Sequence, residues 1–333
     1  MGIIFGMNMD FDNKKRQQFL TETNFHATRD LTLRVLQRQK NNLSKPEGAD
    51  EGWHLSMWFG IAEGTFNNFI LSYTAGESIE QLRYTLENVI VSYENYLQAL
   101  VEQSSDPNEM AFPIRSFDGY CPYIGLISLC FLLHRKDLLP RVARLVDGED
   151  EENAGEDVLI EEMLAYDDSL ERYETDVILG VKPYRPLFRA FCTQDKNESL
   201  SKINEFLKSW YKDLAAAPWH DSHLSDDGYF GYWAFEAGAA VYLLGIEDDS
   251  SLYEYLYYPK DLVKFAKEFV PETNDISVSK QEHLRCEAGQ ICPKTGEWYS
   301  PANNMEKRHF NQGEVMPEIK NNPWGLTIWY LIE

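Results

Sequence analysis

Residues 229–244 form the stretch that most limits how this 333-residue chain can fold. The stretch reads YFGYWAFEAGAAVYLL and puts large apolar side chains on every face of a helix. A helix of that kind packs in the centre of a protein. Asp226 and Asp227 stand where a carboxylate would cap its N-terminus, and Gly245 stands where a glycine would end it. The sequence therefore predicts one buried helix around which the other elements pack.

Apolar residues at three- and four-residue steps run through most of the chain up to about residue 270. This spacing is typical of amphipathic helices. It predicts helices over residues 30–38, 56–73, 77–100, 120–134, 157–179 and 200–214. Ser78 and Gln81 fit a capping box at the start of the helix over residues 77–100. No fixed period recurs strictly enough for a solenoid, so we expect a mainly α fold, built as an irregular array of helical hairpins.

The composition changes after residue 270. Residues 271–333 hold five of the 14 prolines of the chain, interleaved with glycines and aromatic residues. This pattern favours short strands and turns, and residues 326–332, LTIWYLI, have the content of a buried strand. We therefore predict a helical domain over residues 1–270 and a small β-containing C-terminal module over residues 271–333. A subdivision of the helical domain near residues 147–157 stays open.

The net charge of −23, from 54 acidic and 31 basic residues, argues against DNA or RNA as a free ligand, because phosphate binding needs a basic surface. A protein with a basic surface is the more natural partner. The N-terminus has no secretory pattern, and the longest uncharged run, residues 119–133, contains Pro122 and is too short to span a bilayer. The five cysteines suit reduced thiols. We expect a cytoplasmic protein without membrane contact, and a homo-oligomer stays open.

Two short motifs carry a resemblance to a known family. A Gly-Tyr-Trp-x-Phe-Glu-Ala run leads, through a short Asp/Ser loop, to Tyr-Tyr-Pro-x-Asp-Leu. The matching residues are Gly231, Tyr232, Trp233, Phe235, Glu236, Ala237, Tyr257, Tyr258, Pro259, Asp261 and Leu262. This pattern resembles the C-terminal helical domain of the immunity proteins for PoNe-type toxins (PoNi). Residues 73–83 resemble, more weakly, an element of the N-terminal part of that family.

The C-terminal module resembles a short terminal module of other polymorphic-toxin immunity proteins. Its matching residues are Gly289, Cys292, Pro293, Gly296, Trp298, Gly313, Glu314, Met316, Pro317 and Trp329. Together the resemblances imply an immunity protein that binds and blocks a cognate antibacterial toxin, delivered between bacteria by a type VI or related secretion system. In PoNe-type pairs the toxin is a DNase, so the resemblance also implies a nuclease target. Two other functions stay open: an enzyme that reverses the toxin's effect, and a helical adaptor or scaffold protein.

The sequence lacks the phosphate-binding, dinucleotide-binding, serine-hydrolase and zinc-protease motifs, so we expect neither an enzyme nor a cofactor. The run WHDSH at residues 219–223 fits a loop better than a hydrolase site. Glu236 is a lone carboxylate in an apolar stretch, where an unpaired charge is costly. A catalytic acid is one interpretation of this carboxylate. We favour a structural role, with a tyrosine, an indole N–H or Lys260 as its partner.

Two cysteines and two histidines near the C-terminus offer the nitrogen and sulfur atoms that zinc prefers. They are His283, Cys286, Cys292 and His309. The spacing of five residues between Cys286 and Cys292 is wider than the usual spacing of two to four residues in a zinc knuckle. Buried free thiols and surface histidines therefore explain the pattern equally well. We expect no metal, although the sequence alone leaves zinc at Cys286 and Cys292 open.

The acidic segment, residues 147–176, is the remaining candidate site. It contains fourteen carboxylates and a single basic residue, Arg172. Most charge runs are solvated faces, and that interpretation stays open here. The alternative is a docking surface for a basic toxin, because opposite fields accelerate association. We predict that the docking residues are Glu149, Asp150, Glu151, Glu152, Glu156, Asp157, Glu161, Glu162, Asp167 and Asp168.

Overall fold

A computed structural model describes residues 9–43, 51–225, 228–270, 284–300, 303, 307–320 and 327–332. The chain is 57% helical, which confirms a mainly α fold. The described α-helices are α1 (Met9–Lys14), α2 (Glu22–Leu43), α3 (Glu51–Thr74), α4 (Ile79–Ser104), α5 (Phe117–Leu132), α6 (Leu139–Asp147), α7 (Val158–Leu164), α8 (Val181–Phe191), α9 (Lys196–Asp213), α10 (Phe235–Leu243) and α11 (Lys260–Glu268). The described strands are β1 (Arg285–Glu287), β2 (Gly296–Tyr299), β3 (Lys307–Phe310) and β4 (Ile328–Leu331).

The helices with clear apolar periodicity lie where the sequence predicts them. The segments 30–38, 56–73, 77–100, 120–134 and 200–214 correspond to α2, α3, α4, α5 and α9, with ends that differ by one to eight residues. The predicted cap of α4 is present, because the Ser78 hydroxyl accepts a hydrogen bond from the Gln81 amide at 3.2 Å. Amphipathic periodicity therefore located these helices correctly.

The predicted helix over residues 229–244 is only half helical. The helix α10 begins at Phe235, and residues 229–234 form an irregular, extended run. Distant side chains bind this run instead: Gln17 Oε1 accepts the Tyr232 amide at 2.9 Å, and Thr74 Oγ1 donates to the Phe230 carbonyl at 2.6 Å. Gly231, with φ at 129°, is incompatible with a helix. Tertiary hydrogen bonds therefore replace the first helical turns.

The end of α10 agrees with the sequence. Gly245 has φ at 61°, in the left-handed region that favours glycine, and its amide donates to the Tyr242 carbonyl at 3.1 Å. The proposed caps Asp226 and Asp227 lie outside the described residues.

The predicted helix over residues 157–179 is wrong after its first two turns. The helix α7 ends at Leu164, and the chain returns in an extended path toward the start of α7. The Val158 amide donates to the Val177 carbonyl at 2.7 Å, which fixes this return. The next helix, α8, was not predicted, because Pro183 and Pro186 interrupt its apolar pattern.

Cα packing divides the chain into two compact units, and the division predicted at residue 270 stays a prediction. The first unit consists of Met1–Ala111 and Pro218–Trp233. In it α3 packs against α2 and α4. Gly60 and Gly64 of α3 lie against α2, where a Cβ atom would meet Gln39 and Leu36 respectively. Small residues thus allow α2 and α3 to approach closely.

The second unit consists of Phe112–Ala217 and Ala234–Glu333. The helix α5 is buried along nearly its whole length and packs against α10. Gly238 of α10 allows close contact with α11, since a Cβ atom there would lie 2.8 Å from Pro259 Cγ. The predicted central helix is therefore real, although it is shorter than predicted.

The four strands form one antiparallel sheet in the order β1-β4-β2-β3, which confirms the predicted β-containing module. Cys286 of β1 is paired with Trp329 of β4, and Tyr299 of β2 with Tyr330 of β4. One face of the sheet packs around a small hydrophobic core. Its buried members are Leu284, Cys286, Cys292, Trp298, Met316 and Trp329.

Buried ion pairs join this sheet to the helices of its own unit. Arg285 of β1 pairs with Glu162 of α7, and both side chains are almost completely buried. Glu287 of β1 accepts hydrogen bonds from Arg185 and Arg189 of α8, the second through Nε at 2.9 Å. The sheet is therefore bonded to α7 and α8 through ion pairs in which the carboxylates of Glu162 and Glu287 are buried.

Candidate partner-binding surface

Arg172 organises the acidic segment from inside. Its guanidinium donates to the Asp147 carboxylate at 2.6 Å and to the Glu161 carboxylate at 2.7 and 2.9 Å. All three side chains are buried. Glu161 also accepts the amides of Gly155 and Tyr173, each at 3.0 Å. One buried arginine and two carboxylates therefore close the loop between α6 and α7 into a fixed shape.

Asp157 is a buried N-cap of α7. Its Oδ1 atom accepts the amides of Leu159 and Ile160 and the hydroxyl of Tyr120, each at 3.0 Å. Its Oδ2 atom accepts the Leu179 amide at 2.7 Å. Burial nevertheless raises the pKa of Asp157 to about 6, against an ordinary value of 3.8. This carboxylate therefore stabilises the start of α7 and binds the extended segment that returns to it.

Four of the ten predicted docking residues are buried, which corrects the expectation that all lie on an exposed surface. They are Asp157, Glu161, Glu162 and Asp167. Glu162 pairs with Arg285, and Asp167 accepts the Ser169 amide at 3.1 Å with Lys136 Nζ at 3.9 Å. The reason is that each of the four has partners inside the chain, which sequence spacing did not reveal.

The exposed members lie mainly on the loop after α6. They are Glu149, Asp150, Glu151, Glu152 and Asp168, while Glu156 is partly buried. Arg144 pairs with Glu149, and Arg115 lies 2.6 Å from Glu156. The segment therefore carries less unpaired negative charge than its sequence indicates, because arginines outside the segment neutralise part of it. Whether the exposed carboxylates dock a partner stays a prediction.

The Tyr-Tyr-Pro motif lies at the end of a partly exposed loop that precedes α11. The Tyr258 hydroxyl donates to Asp249 Oδ2 at 2.5 Å, and Lys267 Nζ lies 2.6 Å from Asp249 Oδ1. The Tyr257 ring stacks on the Tyr211 ring with centroids 5.1 Å apart and an angle of 9°. Its carbonyl accepts the Ala234 amide at 3.0 Å. The motif therefore fixes the loop that precedes α11.

Glu236 has an indole partner, one of the three partners that the sequence left open. Trp210 Nε1 donates to Glu236 Oε1 at 2.8 Å. The side chain is 3% exposed, and burial raises its pKa to about 7. Lys260, the basic alternative, instead lies 6.0 Å from the centroid of the Tyr253 ring. The carboxyl group therefore links α9 and α10 in the core.

Of the candidate zinc residues, the two cysteines lie in the small core of the sheet, and His309 lies at the surface. Cys286 and Cys292 are free thiols, and burial raises the pKa of Cys286 to about 12. His309 is exposed and pairs with Glu297 at 3.1 Å, while His283 lies outside the described residues. Across the residues that the structure describes, no three histidine, cysteine or carboxylate side chains cluster as a metal site would require.

The WHDSH run packs around a tyrosine. His223 Nδ1 lies 2.8 Å from the Tyr232 hydroxyl, and Ser222 Oγ lies 3.4 Å from the same oxygen. Phe19 and Trp219 contact the Tyr232 ring. The histidine and the serine therefore both bind one tyrosine hydroxyl.

Within the described parts of the chain, no helix combines the length and apolar character needed to cross a membrane.

Comparison with known protein families finds a match for one segment of the chain. Residues 155–262 match the family model described as PoNe immunity proteins (PoNi), C-terminal. The matched region includes α7 to α10, the buried Glu236 and the Tyr-Tyr-Pro loop. The resemblance to the PoNi family is therefore confirmed over this segment, and the class it indicates is that of toxin immunity proteins.

Solved structures add a likeness of fold. One is the crystal structure of protein PA2201 from Pseudomonas aeruginosa, which superimposes with a TM-score of 0.58 at 18% sequence identity. The superposition covers 80% of this chain and 99% of that chain. At this identity the likeness concerns the fold alone. No curated protein matches this chain significantly.

Proposed function

We propose that this chain is a cytoplasmic immunity protein that binds a cognate antibacterial toxin and blocks it without turnover. The observation that carries the proposal is the match of residues 155–262 to the PoNi C-terminal domain. The finer parts of the proposal are that a type VI or related secretion system delivers the toxin, and that the toxin is a nuclease. Both parts follow from the family resemblance.

For the docking site we propose the exposed part of the acidic segment, which we call the acidic loop: Glu149, Asp150, Glu151 and Glu152. Two features support it. The loop carries four neighbouring carboxylates at the surface, and Arg172 joins Asp147 at the end of α6 to Glu161 of α7, the helices on either side of the loop. A nuclease needs a cationic cleft for its phosphate substrate, and a preformed array of carboxylates is complementary to such a cleft.

The test uses the polypeptide encoded by the reading frame adjacent to the gene of this chain. Co-expression of this chain with that polypeptide in a bacterial host is expected to restore growth that the polypeptide alone arrests. Purified proteins are expected to form a complex of fixed stoichiometry. The toxin's activity should fall linearly with added immunity protein and reach zero at equivalence, because inhibition by tight binding consumes one inhibitor per target.

Three other outcomes contradict the proposal in different ways. Protection by a small fraction of an equivalent, with product formed over time, indicates an enzyme that reverses the toxin's effect. Binding without protection indicates an adaptor. Absence of both binding and protection contradicts the immunity function for this pair of proteins.

A further inference from the structure

Partly exposed tyrosines lie on the loop between α10 and α11. We call residues 253–258, with the sequence YEYLYY, the tyrosine loop. Tyr253 is 49% exposed, and Tyr255 and Tyr257 are partly buried. Tyrosine is one of the residues that dominate protein interfaces, because its ring supplies a large apolar area and its hydroxyl group forms hydrogen bonds.

The tyrosine loop is held in one shape by buried neighbours. Leu252, directly before it, is completely buried, and Tyr258 at its end is bonded to Asp249. The Ser251 hydroxyl accepts a hydrogen bond from Asn204 of α9 at 3.2 Å. Rings that are fixed before binding lose little conformational entropy when a partner covers them, so each contact contributes more to affinity.

Carboxylates surround the tyrosine loop. Residues 247–261 contain four exposed acidic residues, Glu247, Asp248, Glu254 and Asp261, and one basic residue, Lys260, while Asp249 is buried and paired with Lys267 of α11. Burial raises the pKa of Tyr253, and the charges of Asp249 and Asp248 raise it further. The face of the Tyr253 ring already lies 6.0 Å from the Lys260 ammonium group. These rings therefore stand in a negative field and are placed to accept cations.

We propose that the tyrosine loop is a docking surface for a cationic protein, whose exposed arginine side chains stack on the rings of Tyr253 and Tyr255 and pair with the carboxylates around them. Arginine fits best, because its planar guanidinium both stacks on aromatic rings and binds carboxylates. A nucleic acid or an anionic membrane does not fit, since the carboxylates would repel phosphate. The inference rests on the proposed function, in which the partner is the toxin.

The test measures binding of the purified toxin domain, encoded by the adjacent reading frame, to variants of the full chain. The double substitution Tyr253→Ala/Tyr255→Ala is expected to raise Kd by about 10- to 100-fold, mainly through faster dissociation. Tyr253→Phe/Tyr255→Phe keeps both rings and should stay within about threefold of the parent. Tyr84→Ala is the matched control, because Tyr84 of α4 is 72% exposed and lies outside the loop. It should leave Kd unchanged.

The outcomes separate this inference from the proposed function. If the parent binds the toxin and Tyr253→Ala/Tyr255→Ala binds equally well, the tyrosine loop is not the docking surface, and the immunity function stands. If Tyr84→Ala weakens binding as much, the effect is not specific to the loop and the inference is overturned. If the parent itself fails to bind, the proposed function is contradicted and the inference with it. Thermal unfolding of each variant checks that the fold is intact, and the phenylalanine pair tests the rings without removing them.

Discussion

Glu236 is a carboxyl group that the fold keeps away from water at a cost. Its pKa is about 7 in the folded chain and near 4.5 when the chain is unfolded. The folded state therefore binds a proton more tightly. Its contribution to stability is fully present below about pH 4.5, and it is lost as the pH rises through about 7. The same direction holds for Asp157, whose pKa rises to about 6.

We expect Glu236→Gln to become progressively more stable relative to the parent as the pH rises from about 4.5 to 7. The gain should approach about 3 kcal/mol at the upper end, because glutamine carries no charge and still accepts the Trp210 N–H. Urea unfolding of both proteins across this pH range measures the difference. Glu254→Gln, an exposed change, serves as the control. A difference that does not vary with pH would mean that Glu236 does not titrate in this window.

Trp233 is a second residue that is buried against groups distant in sequence. It is 9% exposed, its Nε1 donates to Thr74 Oγ1 at 2.9 Å, and its ring contacts Tyr73. We expect Trp233→Ala to lower the free energy of unfolding by about 3–5 kcal/mol. Trp233→Phe keeps an aromatic ring and should cost clearly less. Denaturant midpoints of the two variants measure both effects, and an unchanged midpoint for Trp233→Ala would contradict the burial of this indole.

At the scale of helix packing, Gly238 of α10 and Gly125 of α5 allow a matched comparison of two buried helical glycines. A Cβ atom on Gly238 of α10 would lie 2.8 Å from Pro259 Cγ and 3.0 Å from Val263 Cγ2. A Cβ atom on Gly125 of α5 would lie no closer than 3.9 Å to the Phe235 ring. Both glycines are buried in helices. They therefore differ mainly in the space around them.

We expect Gly238→Ala to destabilise the chain by about 1–3 kcal/mol, because α10 and α11 would have to separate. Gly125→Ala should be neutral or should stabilise by up to about 1 kcal/mol, since alanine favours the helix. Thermal unfolding of the two variants compares them directly. Equal effects at the two positions would contradict the close contact between α10 and α11.

The sheet is attached to α7 by the buried pair of Arg285 and Glu162. We expect Arg285→Met to cost about 3–5 kcal/mol, because it leaves Glu162 buried without its cation. The double variant Arg285→Met/Glu162→Met should recover most of that loss, since apolar side chains replace both charges. A double-mutant cycle by urea unfolding measures the coupling. Additive effects would mean that the two side chains do not interact.

At the scale of the whole molecule, a net charge of −23 repels most of the cell's nucleic acid and attracts cationic proteins. We expect charge reversal of Glu149, Asp150, Glu151 and Glu152 to lysine to slow association with the toxin. It should also flatten the dependence of the association rate on salt, because ionic strength screens long-range steering. Stopped-flow or surface-binding kinetics at several salt concentrations measure both effects.

The control for the charge reversal changes the net charge equally at residues of the other compact unit. Reversal of Glu77, Glu80, Glu102 and Asp106, which are exposed in and around α4, provides it. If both sets slow association equally, net charge alone steers the partner. If neither set slows it at low salt, the acidic loop is a solvated face, and the immunity function stands without this docking site.

Local sequence patterns were sufficient for much of the fold, and they failed where distant groups intervene. Periodicity located α4 and α9, and proline and glycine content located the sheet. The same periodicity extended α10 too far, because it could not show that Gln17 and Thr74 bind the preceding residues. It also missed α8, since its prolines suggest a loop. These errors occur where tertiary hydrogen bonds or packing outweigh local preference.

By itself, the sequence determined that the chain is mainly helical with a small β-containing end, and its Tyr-Trp and Tyr-Tyr-Pro motifs indicated the immunity family. Only the tertiary structure decided which carboxylates face water. From the sequence, Glu161 and Glu162 are expected to be as exposed as Glu151 and Glu152. In the structure, Glu161 is buried beside Arg172, and Glu162 is buried beside Arg285. The physical reason is that a charge can be buried only beside a partner. Here Arg285 is 123 residues from Glu162, a distance at which local spacing carries no information.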